Sequence, residues 1–173
     1  MSRVIFITGG ARSGKSRLAE ELAERFGSPL AYIATGEAGD AEMRERIERH
    51  RSRRGPAWQT IEEPYALDGA IKRNDAFFKV MLVDCITLWL TNLLLKSNNP
   101  QKVIDDVTAF CALLPQLETP LILVSSEVGM GIVPENALAR AFRDLAGETN
   151  QLLAGAADEV YVTFSGLPLK LKG

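Results

Sequence analysis

Glycine, lysine and serine residues near the start of the chain have the spacing of a phosphate-binding loop. Residues 9–16 read G-G-A-R-S-G-K-S and match the pattern G-x-x-x-x-G-K-[ST]. Glycines let successive N–H groups point inward at phosphate oxygens, Lys15 reaches the β- and γ-phosphates, and the Ser16 hydroxyl is a ligand for Mg²⁺. A chance match is disfavoured because the pattern follows an apolar run and opens a helical one. The sequence therefore predicts a site for a nucleoside triphosphate, formed by Gly9, Gly10, Ala11, Arg12, Ser13, Gly14, Lys15 and Ser16.

A carboxylate follows a second apolar run, where Val80–Val83 is succeeded by Asp84. In proteins with a phosphate-binding loop, such an aspartate holds the metal ion directly or through water. The same aspartate could cap a helix that starts near Thr87, and the two roles are compatible. We predict Ser16 and Asp84 as the metal ligands.

The only histidine of the chain, His50, stands among six arginines between Arg44 and Arg54. One interpretation is a solvated helix face whose ion pairs contribute about 0.3–0.5 kcal/mol each. The other is an arginine clamp for a polyphosphate, with a neutral imidazole that attacks an α-phosphate and forms a phosphoramidate. Spacing alone leaves both interpretations open.

Strand and helix patterns alternate along the chain and predict a mostly parallel central sheet flanked by helices. The predicted strands are Val4–Thr8, Leu30–Ala34, Val80–Val83, Leu121–Val124 and, as the last strand, Glu159–Phe164. The predicted helices are Ser16–Phe26, Ala41–Arg53, Ala66–Lys72, Thr87–Leu95, Val103–Leu117 and Glu135–Ala154. The pattern contains no repeat and no linker, so we predict one α/β domain over residues 1–173.

The composition is that of a globular protein, with 46% hydrophobic and 24% charged residues in 173. The net charge of −2 argues against a dedicated nucleic-acid binder. The N-terminus lacks a signal-peptide pattern, and the longest apolar stretch, Val80–Leu95, is interrupted by polar residues and too short for a membrane span. We expect a cytoplasmic protein without membrane insertion, in which Cys85 and Cys111 are reduced core residues.

Taken together, several segments closely resemble the bifunctional adenosylcobinamide kinase/adenosylcobinamide-phosphate guanylyltransferase family of cobalamin biosynthesis. The resemblance covers residues 3–172. It rests on Thr8–Ser16, Tyr32–Thr35, Arg46–Arg51, Trp58–Pro64, Asp84–Thr87, Asn92–Leu94, Glu127–Pro134 and Phe142–Gly147. The phosphate loop is shared by many proteins, whereas Glu127–Pro134 and the segment around His50 are far more discriminating.

The resemblance implies two reactions, a RecA-like fold and a homotrimer. A nucleoside triphosphate, ATP or GTP, phosphorylates adenosylcobinamide; GTP then guanylylates His50, and the GMP passes to adenosylcobinamide phosphate. Lys15 would supply positive charge to the transition state. Beyond the phosphate loop, the residues implied to contact GTP are Ala34, Thr35, Gly36, Arg51, Ser52, Arg53, Arg54, Glu62 and Asp84.

The site for the corrinoid acceptor is poorly marked in the sequence. Glu127–Pro134 follows a strand, where ligands of α/β proteins tend to bind, and it is a candidate for lining that site. Its glycines could equally serve only the turn. The rival hypotheses for the whole chain are a phosphate-loop kinase for another metabolite, in which His50 is structural, and a non-catalytic nucleotide switch or a subunit of a DNA-dependent ATPase.

Overall fold

The computed structural model describes residues 3–36 and 54–173. The predicted helix Ala41–Arg53, with His50, Arg51, Ser52 and Arg53, therefore lies outside the described residues. The described strands are β1 (Val4–Gly9), β2 (Leu30–Ala34), β3 (Trp58–Glu62), β4 (Val80–Asp84), β5 (Leu121–Val124), β6 (Glu159–Phe164) and β7 (Leu167–Lys172). The described helices are α1 (Lys15–Glu24), α2 (Leu67–Asn74), α3 (Ile86–Ser97), α4 (Pro100–Leu113) and α5 (Ala137–Ala156), with a short 3-10 turn at Leu114–Gln116.

The seven described strands form one sheet in the order β3-β2-β4-β5-β1-β6-β7. Neighbouring strands are parallel except at the last pair, where β7 runs antiparallel to β6. The predicted α/β class, with a mostly parallel sheet flanked by helices, is confirmed. Because β2, β4, β5 and β1 are adjacent and parallel, their carboxyl ends meet along one edge of the sheet.

Both faces of the central strands are covered. On one face, Phe6, Met81 and Val83 belong to a core that includes residues of α3, α4 and α5. On the other face, Ile5 and Ile7 pack with residues of α1. Burial on both faces explains why these strands read as continuous apolar runs in the sequence.

Two strands, β3 and β7, were not predicted from the sequence because each lies at an edge of the sheet. β3 carries exposed Gln59 and Glu62, and every residue of β7 is exposed, so neither strand shows a continuous apolar run. The prediction that Glu159–Phe164 is the last strand is wrong. A two-residue turn, Ser165 (φ 51°) and Gly166 (φ 83°), joins it to β7 in a hairpin.

The helices differ from the predicted bounds mainly at their ends, because capping residues set where α4 and α5 begin. α4 begins at Pro100 because the Asn99 side chain accepts a hydrogen bond from the backbone N–H of Lys102. α5 begins at Ala137, two residues after the predicted start, because Asn136 caps it in the same way. None of the helices in residues 3–36 and 54–173 combines the length and apolar character that a membrane crossing requires.

The two cysteines are free, as predicted. Each is half-buried and packs against a core cluster instead of lying within it: Cys111 against the α3–α5 side of the sheet and Cys85 against the α1 side.

Candidate active site

The loop between β1 and α1 has a backbone that requires glycine at two positions. Gly9 has φ 149° and Gly14 has φ 100°. A Cβ on Gly9 would lie 2.5 Å from the Thr163 carbonyl oxygen, and one on Gly14 would lie 3.2 Å from Gly166 Cα. Arg12 also has a left-handed φ, 55°, so the chain curls tightly before α1 begins at Lys15. A tight curl before a helix N-terminus is the kind of backbone geometry that suits an anion.

The Lys15 side chain lies inside this curl. It is buried, and its Nζ donates a hydrogen bond of 2.6 Å to the Gly10 carbonyl oxygen. A buried ammonium group is a fixed positive charge of the kind that suits a phosphate. The other predicted metal ligand from this loop, Ser16, lies half-buried in the first turn of α1.

The β6–β7 hairpin supports the loop from the side. The Ser13 and Thr163 hydroxyls are 2.6 Å apart, and Gly166 N–H donates to the Ser13 carbonyl at 2.9 Å. Arg17 of α1 also reaches the Gly166 carbonyl, at 3.4 Å. The Ser13 side chain is thus engaged with β6, and sequence reasoning missed this support although Ser165-Gly166 before alternating leucines is a hairpin signal.

A second group of predicted site residues lies at the carboxyl ends of β2, β3 and β4. Ala34 is in register with Glu62 on one side and with Asp84 on the other. Asp84 is two strands from β1, and Glu62 is four strands away. With a strand spacing of about 4.8 Å, these separations are about 10 Å and about 19 Å across the sheet. The structure thus places Asp84 beside the phosphate loop and Glu62 toward the far end of the same edge.

Thr35 bonds the ends of β2 and β4 to each other, and Asn92 of α3 bonds to the segments that follow β2 and β3. The Thr35 hydroxyl donates to the Cys85 carbonyl at 2.6 Å and accepts from the Cys85 N–H at 3.0 Å. The Asn92 side-chain amide donates to the Thr35 carbonyl at 2.8 Å and to the Pro64 carbonyl at 3.0 Å. Thr35 is fully buried, and its two hydrogen bonds to Cys85 fix the backbone next to Gly36 and Asp84.

The structure does not use Asp84 as a helix cap, the alternative role that the sequence allowed. Cys85 occupies the N-cap position of α3, and no side chain caps that helix end. α1 packs against β4 and β5, so Ser16 and Asp84 lie on the same side of the edge. One hydroxyl and one carboxylate are the kind of sparse oxygen set that suits Mg²⁺ shared with phosphates and water. Among residues 3–36 and 54–173 there is no cluster of three or more His, Cys, Asp or Glu side chains that could hold a metal alone.

Arg54, the one residue of the predicted 51–54 group that the structure describes, stacks on an aromatic ring. Its guanidinium carbon lies 3.4 Å from the centroid of Tyr32, whose ring also makes an edge contact with Trp58. Burial, and next the negative charge of Asp84, raise the pKa of Tyr32 well above its ordinary value, so the ring stays neutral. Arg54 is therefore anchored on the α1 side of the sheet, near the strand that ends in Asp84.

A further carboxylate, Glu127, is bonded to the phosphate loop; the sequence marked it only as part of Glu127–Pro134, the candidate segment for lining the acceptor site. Glu127 Oε1 accepts hydrogen bonds from the Thr8 hydroxyl at 3.1 Å and from the Asn150 side-chain amide at 2.7 Å. The Glu127 N–H donates to the Gly9 carbonyl at 2.9 Å. The available signal was an acidic residue just after the apolar strand Leu121–Val124, where the carboxyl edge would place it.

The fold and this loop define an α/β protein whose first strand–loop–helix unit is shaped to hold an anion. The chain belongs to the cobinamide kinase/cobinamide phosphate guanyltransferase family, whose model matches residues 5–171.

Three curated relatives agree with this membership. The bifunctional adenosylcobalamin biosynthesis protein CobP of Pseudomonas aeruginosa is 48% identical, with 96% of each chain covered. The proteins named bifunctional adenosylcobalamin biosynthesis protein CobU are 43% identical in Salmonella typhimurium and 42% identical in Escherichia coli. Both alignments cover 98% of this chain and 99% of the relative.

Proposed function

We propose that this chain phosphorylates adenosylcobinamide with ATP or GTP and then transfers GMP from GTP to the product, giving adenosylcobinamide-GDP. The observation that carries the proposal is the phosphate loop with buried Lys15 in a chain that belongs to this family throughout its length. The loop supplies a site for the triphosphate, and the rest of the carboxyl edge supplies the groups expected around it.

In the phosphoryl step, the acceptor hydroxyl oxygen forms a bond to the γ-phosphorus while the bond from that phosphorus to the β-phosphate oxygen breaks. The amides of the curl and Lys15 hold the phosphates and stabilise the negative charge that builds on them. Ser16 and Asp84 would hold Mg²⁺, which supplies Lewis-acid stabilisation of the phosphate oxygens when bound. Thr35 joins the end of β4 to β2, and Asn92 of α3 holds Thr35 in place.

In the guanylyl step, a nitrogen of the His50 imidazole forms a bond to the α-phosphorus of GTP and pyrophosphate leaves. A phosphate oxygen of adenosylcobinamide phosphate then forms a bond to the same phosphorus, and the P–N bond breaks. His50 is the only histidine in the chain, which supports its assignment as this nucleophile. We assign Gly9, Gly10, Ala11, Arg12, Ser13, Gly14, Lys15, Ser16, Ala34, Thr35, Gly36, Arg51, Ser52, Arg53, Arg54, Glu62 and Asp84 to GTP contacts.

We further infer one domain over residues 1–173 that works in the cytoplasm as a homotrimer. The family resemblance is the main support for the trimer. Exposed apolar side chains on the hairpin, Phe164, Leu167, Leu169 and Leu171, are consistent with a surface that another copy covers. Light scattering on the purified protein tests the trimer, and a monomer at micromolar concentration would contradict it.

Product analysis tests the two reactions together. The protein is incubated with Mg²⁺, ATP, GTP and adenosylcobinamide, and corrinoid products are identified by mass spectrometry. We expect first a product carrying one added phosphate and then one carrying added phosphate and GMP. Binding of nucleotide with no modified corrinoid would contradict the proposal and favour a kinase for another metabolite.

Covalent labelling tests the histidine intermediate. The protein is incubated with Mg²⁺ and α-³²P-labelled GTP, without corrinoid, beside a His50→Ala variant. We expect acid-labile, base-stable label on the wild type and none on the variant. A wild type that binds GTP without taking up label would contradict the guanylyl-histidine intermediate.

A further inference from the structure

Glu127 is the described carboxylate at the carboxyl edge that lies nearest the phosphate loop. It follows β5, the strand directly beside β1, whereas Asp84 ends a strand two places away. Its backbone N–H donates to the Gly9 carbonyl at 2.9 Å, so the main chain at Glu127 is bonded to the first residue of the loop. The Glu127 backbone is therefore adjacent to the loop that we propose holds the triphosphate.

The orientation of the Glu127 side chain is fixed from two directions. Oε1 accepts from the Thr8 hydroxyl of β1 and from the side-chain amide of Asn150 in α5, at 3.1 and 2.7 Å. Thr8 and Asn150 are both buried, so the two donors are themselves held by the core. A half-buried carboxylate held by two donors is a preorganised hydrogen-bond acceptor.

The other described carboxylates of this edge are less suited to the same task. Glu63 accepts from the N–H groups of Tyr65 and Ala66 and pairs with Arg73 at 3.5 Å. Glu62 lies about 19 Å from β1 across four strand spacings. Asp84 has the position of a metal ligand.

The loop that continues from Glu127 provides an approach for a large acceptor. Met130 and Ile132 are 75% and 97% exposed, and Val133 is 60% exposed. These apolar side chains extend from the residue that is bonded to Gly9. An acceptor that rests on them would bring its hydroxyl to the phosphate loop from the side of Glu127.

We propose that Glu127 is a catalytic residue of the phosphoryl step and accepts the proton of the acceptor hydroxyl. This inference rests on the proposed kinase activity. The hydroxyl oxygen bonds to the γ-phosphorus, its proton passes to the Glu127 carboxylate, and the nucleoside diphosphate leaves as its bond to the γ-phosphorus breaks. Thr8 and Asn150 are positioning residues that hold the carboxylate.

Three variants separate this role from a structural one: Glu127→Gln, Glu127→Asp and Thr8→Val. Thr8→Val keeps the β-branched shape in β1 and removes one donor to Glu127 while leaving the carboxylate. Phosphate transfer from γ-³²P-labelled ATP to adenosylcobinamide is measured for each across pH. Self-guanylylation from α-³²P-labelled GTP, which needs no corrinoid, reports separately whether the nucleotide site is intact.

We expect Glu127→Gln to lower kcat of phosphoryl transfer about 10²- to 10⁴-fold, the range for loss of a general base. The acid limb of the wild-type pH profile should disappear in this variant. The kcat of Glu127→Asp should be at least about tenfold higher than that of Glu127→Gln. The kcat of Thr8→Val should be less than about tenfold below that of wild type. Guanylylation should stay within about twofold of wild type in all three.

Equal losses in Glu127→Gln and Thr8→Val would show that Glu127 only connects β1 to α5, and would overturn the proposal. So would a kcat for Glu127→Gln within about threefold of wild type, or loss of both label and phosphoryl transfer in that variant. A wild type that transfers no phosphate to adenosylcobinamide would remove the kinase activity itself, and this inference with it.

Discussion

The two ends of the central strands are built from similar polar residues but arranged for different purposes. At the amino end, Glu159 is hydrogen-bonded by Tyr161 at 2.7 Å and ion-paired with Lys170 at 2.9 Å and with Arg3. Asp158 completes this end by accepting from the Val4 N–H at 2.7 Å. The carboxylates of Glu159 and Asp158 are thus both bonded to groups of the same chain.

At the carboxyl end, the hydrogen bonds hold a loop whose backbone is strained. Gly9 and Gly14 hold left-handed backbone conformations, and buried Lys15 lies inside the curl of the loop. At the amino end, by contrast, burial alone would raise the pKa of Glu159, but hydrogen bonds from Tyr161, Lys170 and Arg3 lower this pKa to about 2. We infer that ion pairing at the amino end provides stability, whereas the strained backbone at the carboxyl end serves a ligand. Substitution of the amino-end charges should therefore lower stability without lowering activity. Substitutions at the carboxyl end should lower activity, and some of them should lower stability as well.

The largest expected effect is that of Lys15→Ala at the carboxyl end. Both phosphoryl transfer and guanylylation should fall by about 10³-fold or more, because the positive charge facing the phosphates is lost. The free energy of unfolding should change by about 1 kcal/mol or less, because the substitution loses the hydrogen bond to the Gly10 carbonyl but also removes the cost of burying a charge. Steady-state assays and urea titration measure the two. A loss of stability large enough to explain the inactivity would contradict the separation of the two ends.

Next in size is Gly9→Ala, which tests whether the loop backbone itself is required. The added Cβ would lie 2.5 Å from the Thr163 carbonyl and 2.7 Å from its hydroxyl oxygen, so β1 and β6 would have to move apart. We expect nucleotide affinity to fall below detection and stability to fall by about 2 kcal/mol or more. Gly10→Ala is the matched control for stability, because a Cβ there meets no protein atom within 4 Å. Equal losses of stability in the two variants would contradict the assigned geometry.

At the amino end, Glu159→Gln should lower stability without changing activity. The pKa of Glu159 in the folded protein, about 2, lies below its ordinary value of 4.5. The stabilisation is therefore fully present above about pH 4.5 and is lost as the pH falls toward 2. Glu159 is buried, and we expect a loss of about 2–3 kcal/mol at pH 7.

Urea titrations of wild type and Glu159→Gln at several pH values check this expectation. The difference between the two should shrink as the pH falls from 4.5 toward 2. Glu24→Gln, at the exposed end of α1, serves as control and should match wild type. A fall in kcat of more than about threefold in Glu159→Gln would show that the two ends are coupled.

The smallest effect is expected for Asn92→Ala, which acts behind the carboxyl edge. Its loss leaves the carbonyls of Thr35 and Pro64 without this donor, so stability should fall by about 1–2 kcal/mol. KM for GTP should rise severalfold while kcat changes little, because Thr35 and Gly36 shift but Lys15 does not. An unchanged KM would place Thr35 and Gly36 outside the nucleotide site.

How far the sequence predicts this molecule depends on how local each signal is. The unit of β1, loop and α1 was predicted because its glycines and Lys15 are adjacent and the strand is buried on both faces. β7 was missed because it is exposed throughout, and it supports the loop through Gly166, 152 positions after Gly14. Glu127 was missed as an individual residue because its partners, Thr8 and Asn150, lie 119 and 23 residues away. The role of His50 stays a prediction, since it lies outside the described residues.

Guanylyl transfer through the protein can be tested by a chase experiment. Enzyme labelled with α-³²P-labelled GTP is freed of nucleotide and then mixed with adenosylcobinamide phosphate. We expect that label leaves the protein and appears in adenosylcobinamide-GDP, whereas unphosphorylated adenosylcobinamide receives none. Label that stays on the protein, or that is released only as free GMP, would contradict guanylyl transfer through this chain.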